Sequence, residues 1–325
     1  MSTNILVTGA AGYIGGSVVA SFAAQRDGPL SKATIHAAVR SDEQAESLSA
    51  LAAVKVLQAD LYDGEAMEKY VVENKSTKTS GGSTFDTLTG WPYGDVKDTD
   101  AIFKMEKELG EGYAQRKTDV AAVEQSQAHG VKTVIVMPVN IYGRGSGTWN
   151  RMSLHIPGYI RAAVKHRRVY KFADSRVSPL VHIDELSDFY VRLASAILRG
   201  DGDEAEKTVG VGEDGFVFVQ SHRTPWWDIL DALAGAMHAR GLVDEPRVAT
   251  WPSPEVMTEA LEVPAAYAYS IWNSEAFIQG VKAKRLGWEP TWSTERLLAN
   301  LDAEIDAALD PDANKTSLIR SIRNK

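Results

Sequence analysis

The amino-acid sequence predicts an α/β protein built on a doubly wound parallel sheet, with a smaller mixed α/β lobe. Three apolar runs near the N-terminus, Ile5–Val7, Thr34–Val39 and Val54–Leu57, have the length and composition of buried parallel strands. Amphipathic stretches that predict helices separate these runs. This alternation of strand and helix is the pattern that produces a parallel sheet with helices on both faces.

The first apolar run leads directly into glycines at positions 9, 12 and 15. In a strand–turn–helix unit, Gly9 permits the tight turn, Gly12 lets the backbone approach a pyrophosphate, and Gly15 lets the helix pack close to the strand. The helix N-terminus adds unpaired N–H groups and the positive end of the helix dipole. We therefore expect a dinucleotide site in a Rossmann-type sheet. The alternative is an ordinary glycine-rich turn.

Composition excludes several classes of protein. The chain has 325 residues, no cysteine and a formal net charge of −8. Disulfides, thiolate catalysis and cysteine metal sites are therefore excluded, and an acidic chain does not suit nucleic acid, whose phosphates need a basic face. No apolar run approaches the roughly 20 residues that span a bilayer. We expect a cytoplasmic protein with a small-molecule substrate and no nucleic-acid or membrane partner.

Two places in the sequence bear on the choice of cofactor. Arg40 ends the second strand, where a residue meets the adenosine ribose, and an arginine there accommodates the additional phosphate of NADP. We therefore expect NADP, with NAD as the alternative, unless Arg40 is simply a solvated surface residue. Asp60 and Leu61 follow the third strand, where an adenine ring would lie, although Asp60 can equally be a helix cap.

A fourth parallel strand is missing from the pattern. Between Glu73 and Asp100 the chain has no run of four apolar residues, and threonine, serine, glycine, lysine and aspartate predominate. The sequence therefore predicts a sheet that is short of one or two central strands. In this prediction the strong strand Val131–Met137 pairs directly with Ile5–Val7, and residues 73–100 form an irregular surface excursion.

A tyrosine and a lysine have the spacing of an acid/base pair. Tyr113 and Lys117 are four residues apart in a predicted helix, so they share one face. A nearby ammonium favours the phenolate and lowers the pKa of a tyrosine, which lets it exchange a proton with a substrate oxygen. The alternative is a surface pair, because this spacing is common by chance.

Five motifs occur in a fixed order along the chain. They are Thr8-Gly-Ala-Ala-Gly-Tyr-Ile-Gly15, Asp60-Leu61, Tyr113-x-x-x-Lys117, Pro138-x-x-Ile-Tyr-Gly143 and Val181-His-Ile-Asp-Glu-Leu186. Together they resemble the extended short-chain dehydrogenase/reductase family, the NAD(P)-dependent epimerase/dehydratase group. The resemblance extends from residue 4 to Trp288-Glu289-Pro290. It implies a Rossmann-type sheet, a smaller substrate lobe and hydride transfer at a carbon that bears oxygen.

The resemblance also implies roles for individual residues. Those expected to hold the pyrophosphate are Gly9, Gly12, Tyr13, Ile14 and Gly15, and those expected to flank the nicotinamide are Pro138 to Ile141. Tyr113 would be the acid/base, and Lys117 would support it and hold a ribose hydroxyl. His182 and Asp184 would belong to the wall between the lobes, with a purely structural histidine in a strand as the alternative.

The catalytic hydroxyl departs from the family pattern. Relatives carry a Ser/Thr-rich turn whose hydroxyl binds the substrate oxygen, and Thr79–Ser83 resembles that turn. The family's hydroxyl position falls near Gly81, so Ser80 is the candidate that we favour and Ser83 is the alternative. Gly110 and Gly112 also make a poor helix start before Tyr113, which leaves the geometry of the tyrosine and lysine open.

These observations favour an NAD(P)-dependent oxidoreductase or epimerase that acts at a carbonyl or hydroxyl carbon of a small organic or sugar-like substrate. The alternatives are a catalytically impaired dinucleotide-binding sensor, or a truncated form of an active relative. We expect a Rossmann domain over residues 1–145 and a mostly substrate-binding lobe over residues 146–325. Because a missing crossover helix removes surface for dimer packing, we expect a monomer or a weak homodimer.

The position of Arg40 generates the first prediction. The protein should bind NADPH more tightly than NADH, and Arg40→Asp should reverse or flatten that preference. A charge-assisted contact with the additional phosphate is worth about ten- to a hundred-fold in affinity. Cofactor fluorescence titration of both proteins with both nucleotides measures it, and equal affinities in the unmodified protein would contradict it.

Overall fold

The computed structural model describes residues 3–51, 53–59, 75–199 and 202–313, and it confirms the predicted α/β fold. The strands are β1 Asn4–Val7, β2 Thr34–Val39, β3 Val54–Gln58, β4 Lys75–Thr79, β5 Val96–Lys97, β6 Lys132–Pro138, β7 Asn140–Tyr142, β8 Tyr170–Lys171, β9 Val177–His182, β10 Phe216–Val219, β11 His222–Pro225, β12 Ala249–Thr250 and β13 Ile278–Gln279. The helices are α1 Tyr13–Ala23, α2 Asp42–Ser49, α3 Ile102–Glu108, α4 Ala114–Ala128, α5 His155–His166, α6 Ile183–Leu198, α7 Gly202–Val209, α8 Trp226–Ala239, α9 Pro254–Leu261, α10 Ala265–Trp272, α11 Lys282–Arg285, α12 Thr294–Ala299 and α13 Leu301–Leu309.

The first three strands form a parallel sheet with β2 in the centre. Ala37 of β2 pairs with Val7 of β1 on one side and with Val56 of β3 on the other. Both Ile35 and Ala37 are buried. The strands lie where the apolar runs predicted them, because a parallel strand that is buried on both faces must be apolar along most of its length.

A second parallel sheet has the order β10-β6-β4. Its inner strand, β6, is buried from Thr133 to Pro138. β10 pairs with the second half of β6, where Phe216 lies opposite Ile135. On the other side of β6, β4 pairs along its whole length, from Lys75 opposite Lys132 to Thr79 opposite Val136.

β4 contradicts the prediction for residues 73–100. Val131–Met137 does not pair directly with Ile5–Val7, because β4, a strand from the polar run, pairs with β6. The polar side chains of β4 reach hydrogen-bonding partners. The contacts are Ser76 Oγ to Thr133 Oγ1 at 2.6 Å, Lys78 to Asp119, and Thr79 Oγ1 to the Tyr190 hydroxyl. The strand is stable without an apolar face because these groups are satisfied.

The residues after β4 do not form a surface excursion either. A 3₁₀ turn, Gly82–Phe85, carries Phe85 into the core, where it is fully buried. Its ring centroid lies 4.8 Å from those of Trp91 and Phe218. The aromatic pair formed by Phe85 and Phe218 attaches this segment to β10, a contact that the turn-rich composition concealed.

The two parallel sheets are not joined to each other by backbone hydrogen bonds in the described parts of the chain. β1 is paired on one side by β2, and β4 is paired on one side by β6. Residues of both strands border the same cavity. The described strands therefore form two separate parallel groups.

A mixed sheet underlies the second half of the chain. In it, β9 is parallel to β7 and antiparallel to β11. A separate hydrophobic core surrounds α5 and α8 and includes Tyr159, Trp226 and Trp272. The Tyr159 hydroxyl donates a hydrogen bond to the backbone oxygen of Trp272 at 2.6 Å, so the polar end of this buried tyrosine is satisfied.

Two local features of this half depart from what the sequence pattern favours. The acidic stretch 202–207, whose composition is typical of a surface loop, belongs to helix α7, which buries Ala205 and Val209 one turn apart. The amphipathic stretch 297–309, which favours one helix, is divided into α12 and α13 at Asn300. No helix in the described part of the chain is both long and apolar enough to cross a bilayer.

A buried carboxylate connects the second parallel sheet to the C-terminal part of the chain. Asp98, which is 1% exposed, accepts hydrogen bonds from the backbone N–H groups of Phe218 at 3.1 Å, Val281 at 2.9 Å and Lys282 at 3.2 Å. Burial raises the pKa of Asp98, and these backbone donors oppose that rise.

Asp98→Ala should therefore lower the free energy of unfolding by about 3 kcal/mol, since it leaves buried N–H groups without an acceptor. Urea denaturation measures the change. Asp100→Ala is the matched control, because Asp100 is exposed and accepts one N–H, that of Lys97. It should cost about 1 kcal/mol or less. Equal losses in the two variants would contradict the role given to Asp98.

Candidate dinucleotide and substrate site

One large cavity contains most of the predicted site residues. Its volume is about 2130 Å³, whereas ligand pockets commonly have about 300–1,000 Å³. It follows β1 and β4 along their lengths and continues past the carboxyl ends of both strands into the second half of the chain. The carboxyl edge of an open parallel sheet is where ligands bind in such folds.

The glycine turn has the geometry that the sequence predicted. Gly9 has φ +65°, and its backbone oxygen accepts a hydrogen bond from Gly12 N at 2.8 Å. A Cβ on Gly15 would lie 2.3 Å from the Gly9 oxygen, which the backbone cannot accommodate. Of the predicted pyrophosphate residues, Gly9, Gly12, Tyr13, Ile14 and Gly15 all line the cavity. α1 begins here and has no acidic residue in its first turn, so its dipole favours an anion.

Tyr13 connects the glycine turn to the loop after β7. Its hydroxyl donates to the backbone oxygen of Gly143 at 2.7 Å. Burial raises the pKa of Tyr13 well above its ordinary value, so the phenol remains a donor. The backbone N–H of Gly143 in turn bonds to Glu304 of α13, whose pKa burial raises to about 7. Tyr13 therefore has a structural role that the glycine pattern did not indicate.

The adenosine end of the predicted site is described only in part. Arg40 directly follows β2 and is exposed. Its backbone N–H donates to Gln44 Oε1 at 3.0 Å, and Arg40 is not among the residues that line the cavity. Asp60 and Leu61 lie outside the described residues.

The structure brings Tyr113 to Ser83. Tyr113 is the N-cap residue of α4, with extended backbone at φ −134° and ψ 124°. Its hydroxyl donates to Ser83 Oγ at 3.0 Å, and Ser83 donates to Gln115 Oε1 at 2.6 Å. All three side chains line the cavity. The proton of Ser83 is thus directed to Gln115, which leaves the serine oxygen as an acceptor for the phenol.

Lys117 is placed differently from what the sequence suggested. It is exposed and is not among the residues that line the cavity. The cation over the Tyr113 ring is Arg116, whose guanidinium carbon lies 5.3 Å from the ring centroid. Burial raises the pKa of Tyr113, and the hydrogen bond to Ser83 and the charge of Arg116 oppose that rise. The expected lowering of the tyrosine pKa is therefore not observed.

Ser80, the favoured candidate for the catalytic hydroxyl, also lines the cavity. Its hydroxyl donates to Asp119 Oδ2 at 2.6 Å, and Asp119 also forms an ion pair with Lys78. Behind this pair, Glu106 is fully buried, and its pKa is raised to about 9 by burial and by the charge of Asp119. Ser80 is thus held by a buried polar cluster.

The remaining predicted residues divide into two groups. Pro138, at the end of β6, and Ile141, in β7, line the cavity, whereas His182 and Asp184 are not among its lining residues. Between the first two, Asn140 Nδ2 donates to Ser178 Oγ at 2.6 Å and Ser274 Oγ at 2.9 Å. His182 lies in β9 and stacks on Trp292 with ring centroids 3.9 Å apart. It caps α6, since its Nδ1 accepts the Asp184 N–H, so the cap is His182 and not Asp184.

The sequence did not indicate several residues of the cavity wall. Gln115 belongs to no motif, and neither do His155 and Arg161 of α5, although all three line the cavity. The wall nevertheless has a charge pattern. No aspartate or glutamate lines the cavity among the residues that the structure describes, although the chain has 43 acidic residues.

Comparison with known proteins gives two family matches and a shared fold. The NmrA-like family matches residues 1–77, and the NAD dependent epimerase/dehydratase family matches residues 88–207. The resemblance to extended short-chain dehydrogenases/reductases is confirmed. An oxidase of Acremonium sp., ucsJ, is 22% identical over 192 residues, which are 58% of this chain and 52% of that protein. The chain thus spans about half the length of that relative.

Two solved structures show how widely the fold is shared. The dTDP-glucose 4,6-dehydratase of Bacillus anthracis, in complex with NAD, is 13% identical with a TM-score of 0.60, over 94% of this chain and 96% of that one. The UDP-glucuronic acid 4-epimerase of Bacillus cereus, in complex with UDP-glucuronic acid and NAD, is 15% identical with a TM-score of 0.58, over 94% of this chain and 99% of that one.

The close packing at Gly15 generates a prediction. Gly15→Ala should lower the free energy of unfolding by about 1–3 kcal/mol, because the added methyl group meets the Gly9 backbone. It should also weaken dinucleotide binding, since the turn must open. Gly235→Ala in α8 is the control, with nothing within 4 Å of the new Cβ, and it should stabilise by about 0.5–1 kcal/mol. Urea denaturation and cofactor titration distinguish them. A Gly15→Ala protein that is as stable as the unmodified one would contradict this.

Proposed function

We propose that the protein is an NADP-dependent oxidoreductase that reduces the carbonyl group of a small organic substrate. The observation that carries the proposal is the hydrogen-bonded pair of Tyr113 and Ser83 on the cavity wall, 3.0 Å apart. It lies on the same cavity as the glycine turn. A proton donor is thereby held beside the place where a dinucleotide would bind, as reduction of a carbonyl requires.

The residues present fit a dinucleotide. Added Cβ atoms at Gly12 and Gly15 would lie 3.0 Å and 2.3 Å from the Gly9 oxygen, so the turn is available only to glycine and leaves the backbone open to a phosphate. The described wall also carries no carboxylate. Gly9, Gly12 and Gly15 with Tyr13 and Ile14 would hold the pyrophosphate, and Pro138 and Ile141 would flank the nicotinamide. The bound nicotinamide supplies the hydride.

The chain's own contribution is the proton. Burial raises the pKa of Tyr113, so the phenol is protonated at neutral pH and can donate to the oxygen of a carbonyl substrate. Ser83 orients the phenol, because its oxygen accepts the Tyr113 O–H while its own proton goes to Gln115. For the transfer, the Tyr113 O–H turns from Ser83 to the substrate oxygen, and Tyr113 is left as the phenolate. The proposal makes Ser83, and not Ser80, the partner of the phenol, because Ser83 accepts the Tyr113 hydroxyl whereas Ser80 donates to Asp119. A role for Lys117 remains a prediction from the sequence.

A preference for NADP over NAD is the finer part of the proposal, and it depends on Arg40. Arg40 directly follows β2, and its side chain is exposed. The guanidinium can therefore contact the additional phosphate while the backbone N–H of Arg40 keeps its hydrogen bond to Gln44. We also propose that the protein is a monomer or a weak homodimer.

A second candidate is a dinucleotide-binding sensor with impaired chemistry. The observation that favours it is the exposed position of Lys117 away from the cavity wall. The two candidates differ in turnover. A sensor binds NADPH but oxidises it with no carbonyl compound, whereas the proposed reductase oxidises NADPH with at least one member of a panel of aldehydes and ketones.

Removal of the Tyr113 hydroxyl tests the reductase. Tyr113→Phe should reduce kcat by about a hundred-fold or more, as expected for the loss of a positioned general acid, and should leave NADPH affinity unchanged. Ser83→Ala should reduce kcat less, because the phenol remains. Tyr93→Phe is the control, since Tyr93 is exposed and does not line the cavity. Equal kcat in Tyr113→Phe and the unmodified protein would refute the assignment.

The pH dependence follows from the direction of the pKa shift. Because the protonated phenol is the active form and its pKa is raised, the rate of carbonyl reduction should be maintained through neutral pH. It should fall only as the pH rises through the pKa of Tyr113, above that of an ordinary tyrosine at about 10. A rate that rises with pH between about 6 and 9 would show that a phenolate is needed instead.

A further inference from the structure

The part of the cavity that faces the second half of the chain carries a positive charge without an oxygen acceptor. Arg161, on α5, lines the cavity, and burial lowers its pKa, although a guanidinium remains charged in proteins. In the described part of the chain its guanidinium makes one hydrogen bond, from NH1 to the Met152 sulfur at 2.8 Å. A thioether is a weak acceptor, whereas a guanidinium has five N–H donors.

The charges of the cavity wall leave room for an anion beside Arg161. Glu262, which is exposed, keeps the guanidinium charged, but it is not among the lining residues, and no described carboxylate lines the cavity itself. The lysines on the described wall, Lys75 and Lys78, both belong to β4, and Lys78 is already paired with Asp119. Arg161 is therefore the cation that a ligand would meet beside α5.

Further polar groups lie on the same stretch of wall. His155, at the start of α5, lines the cavity. Ser270 and Ser274 face the cavity from α10 and the residues after it. Such groups suit a ligand with oxygen atoms.

We propose that Arg161 binds a carboxylate of the substrate, so that the protein acts on oxo acids. The planar guanidinium matches a carboxylate with two parallel hydrogen bonds. A single cation balances the single charge of a carboxylate, whereas a phosphate monoester carries nearly two. This inference rests on the proposed function for the identity of the reacting group, but the anion site itself does not require turnover.

The experiment measures equilibrium binding to the NADP-saturated protein by calorimetry. The probes are levulinate with its longer oxo-acid homologues, the methyl ester of each acid, and UDP-glucose as a phosphate-bearing ligand. At least one oxo acid should bind about ten-fold or more tightly than its ester, the usual worth of a charged hydrogen bond. Arg161→Met should abolish this preference, and Arg161→Lys should retain part of it.

Arg240→Met is the matched control. It removes the same charge from a side chain that pairs with Asp302 and Asp306 and does not line the cavity, so the preference for acid over ester should be unchanged. Thermal melting establishes that each variant is folded. If Arg161→Met is unfolded, a several-fold loss of the preference in Arg161→Lys decides the question in its place.

Four results would overturn the proposal. The first is that the oxo acids bind no more tightly than their esters. The second is that the preference for acid over ester survives in Arg161→Met or is undiminished in Arg161→Lys. The third is that UDP-glucose binds more tightly than every oxo acid and that this binding depends on Arg161. The fourth is a loss of NADPH affinity in Arg161→Met, which would assign the guanidinium to the cofactor. If the protein reduces no carbonyl compound but keeps the Arg161-dependent preference, the reductase proposal fails and the carboxylate site stands.

Discussion

The pairing of β4 with β6 determines how the candidate site is assembled. β4 contributes five polar residues, and its register on β6 carries the chain directly from Thr79 into the turn that holds Ser80 and Ser83. The strand is held laterally by backbone hydrogen bonds and on its faces by Asp119, Thr133 and Tyr190. Phe85 anchors the far end of the same turn in the core, so the strand on one side and Phe85 on the other hold Ser83 beside Tyr113.

The first part of the fold could be predicted from the sequence because its physics is local. β2 begins and ends at Thr34 and Val39, where its apolar run does, and the glycine turn adopts the positive φ at Gly9 that the motif requires. For β2, burial on both faces requires a continuous apolar run, and for the glycine turn, only a residue without a side chain adopts the required backbone conformation readily. A single property of the local sequence therefore determines the conformation in each place.

The rest could not be predicted because it depends on partners that are distant in sequence. Lys75–Thr79 contains no apolar residue, and its stability as a strand comes from hydrogen bonds to residues 41 to 111 positions later. The choice between Ser80 and Ser83 has the same origin. One hydroxyl meets Asp119 and the other meets Tyr113 and Gln115, and spacing along the chain does not distinguish these contacts.

The lack of backbone pairing between β1 and β4 in the described residues has a consequence for the energetics of the whole molecule. In a continuous sheet, the backbone ladder between the two halves would contribute to stability at all times. Here that contribution is absent from the described residues, and contacts such as the packing of α1 against α6 remain. A dinucleotide that touches both halves would act as a removable part of the fold, adding about 2.7 kcal/mol at a concentration about a hundred-fold above its Kd. The lifetime of the folded chain would then follow the size of the nucleotide pool around it.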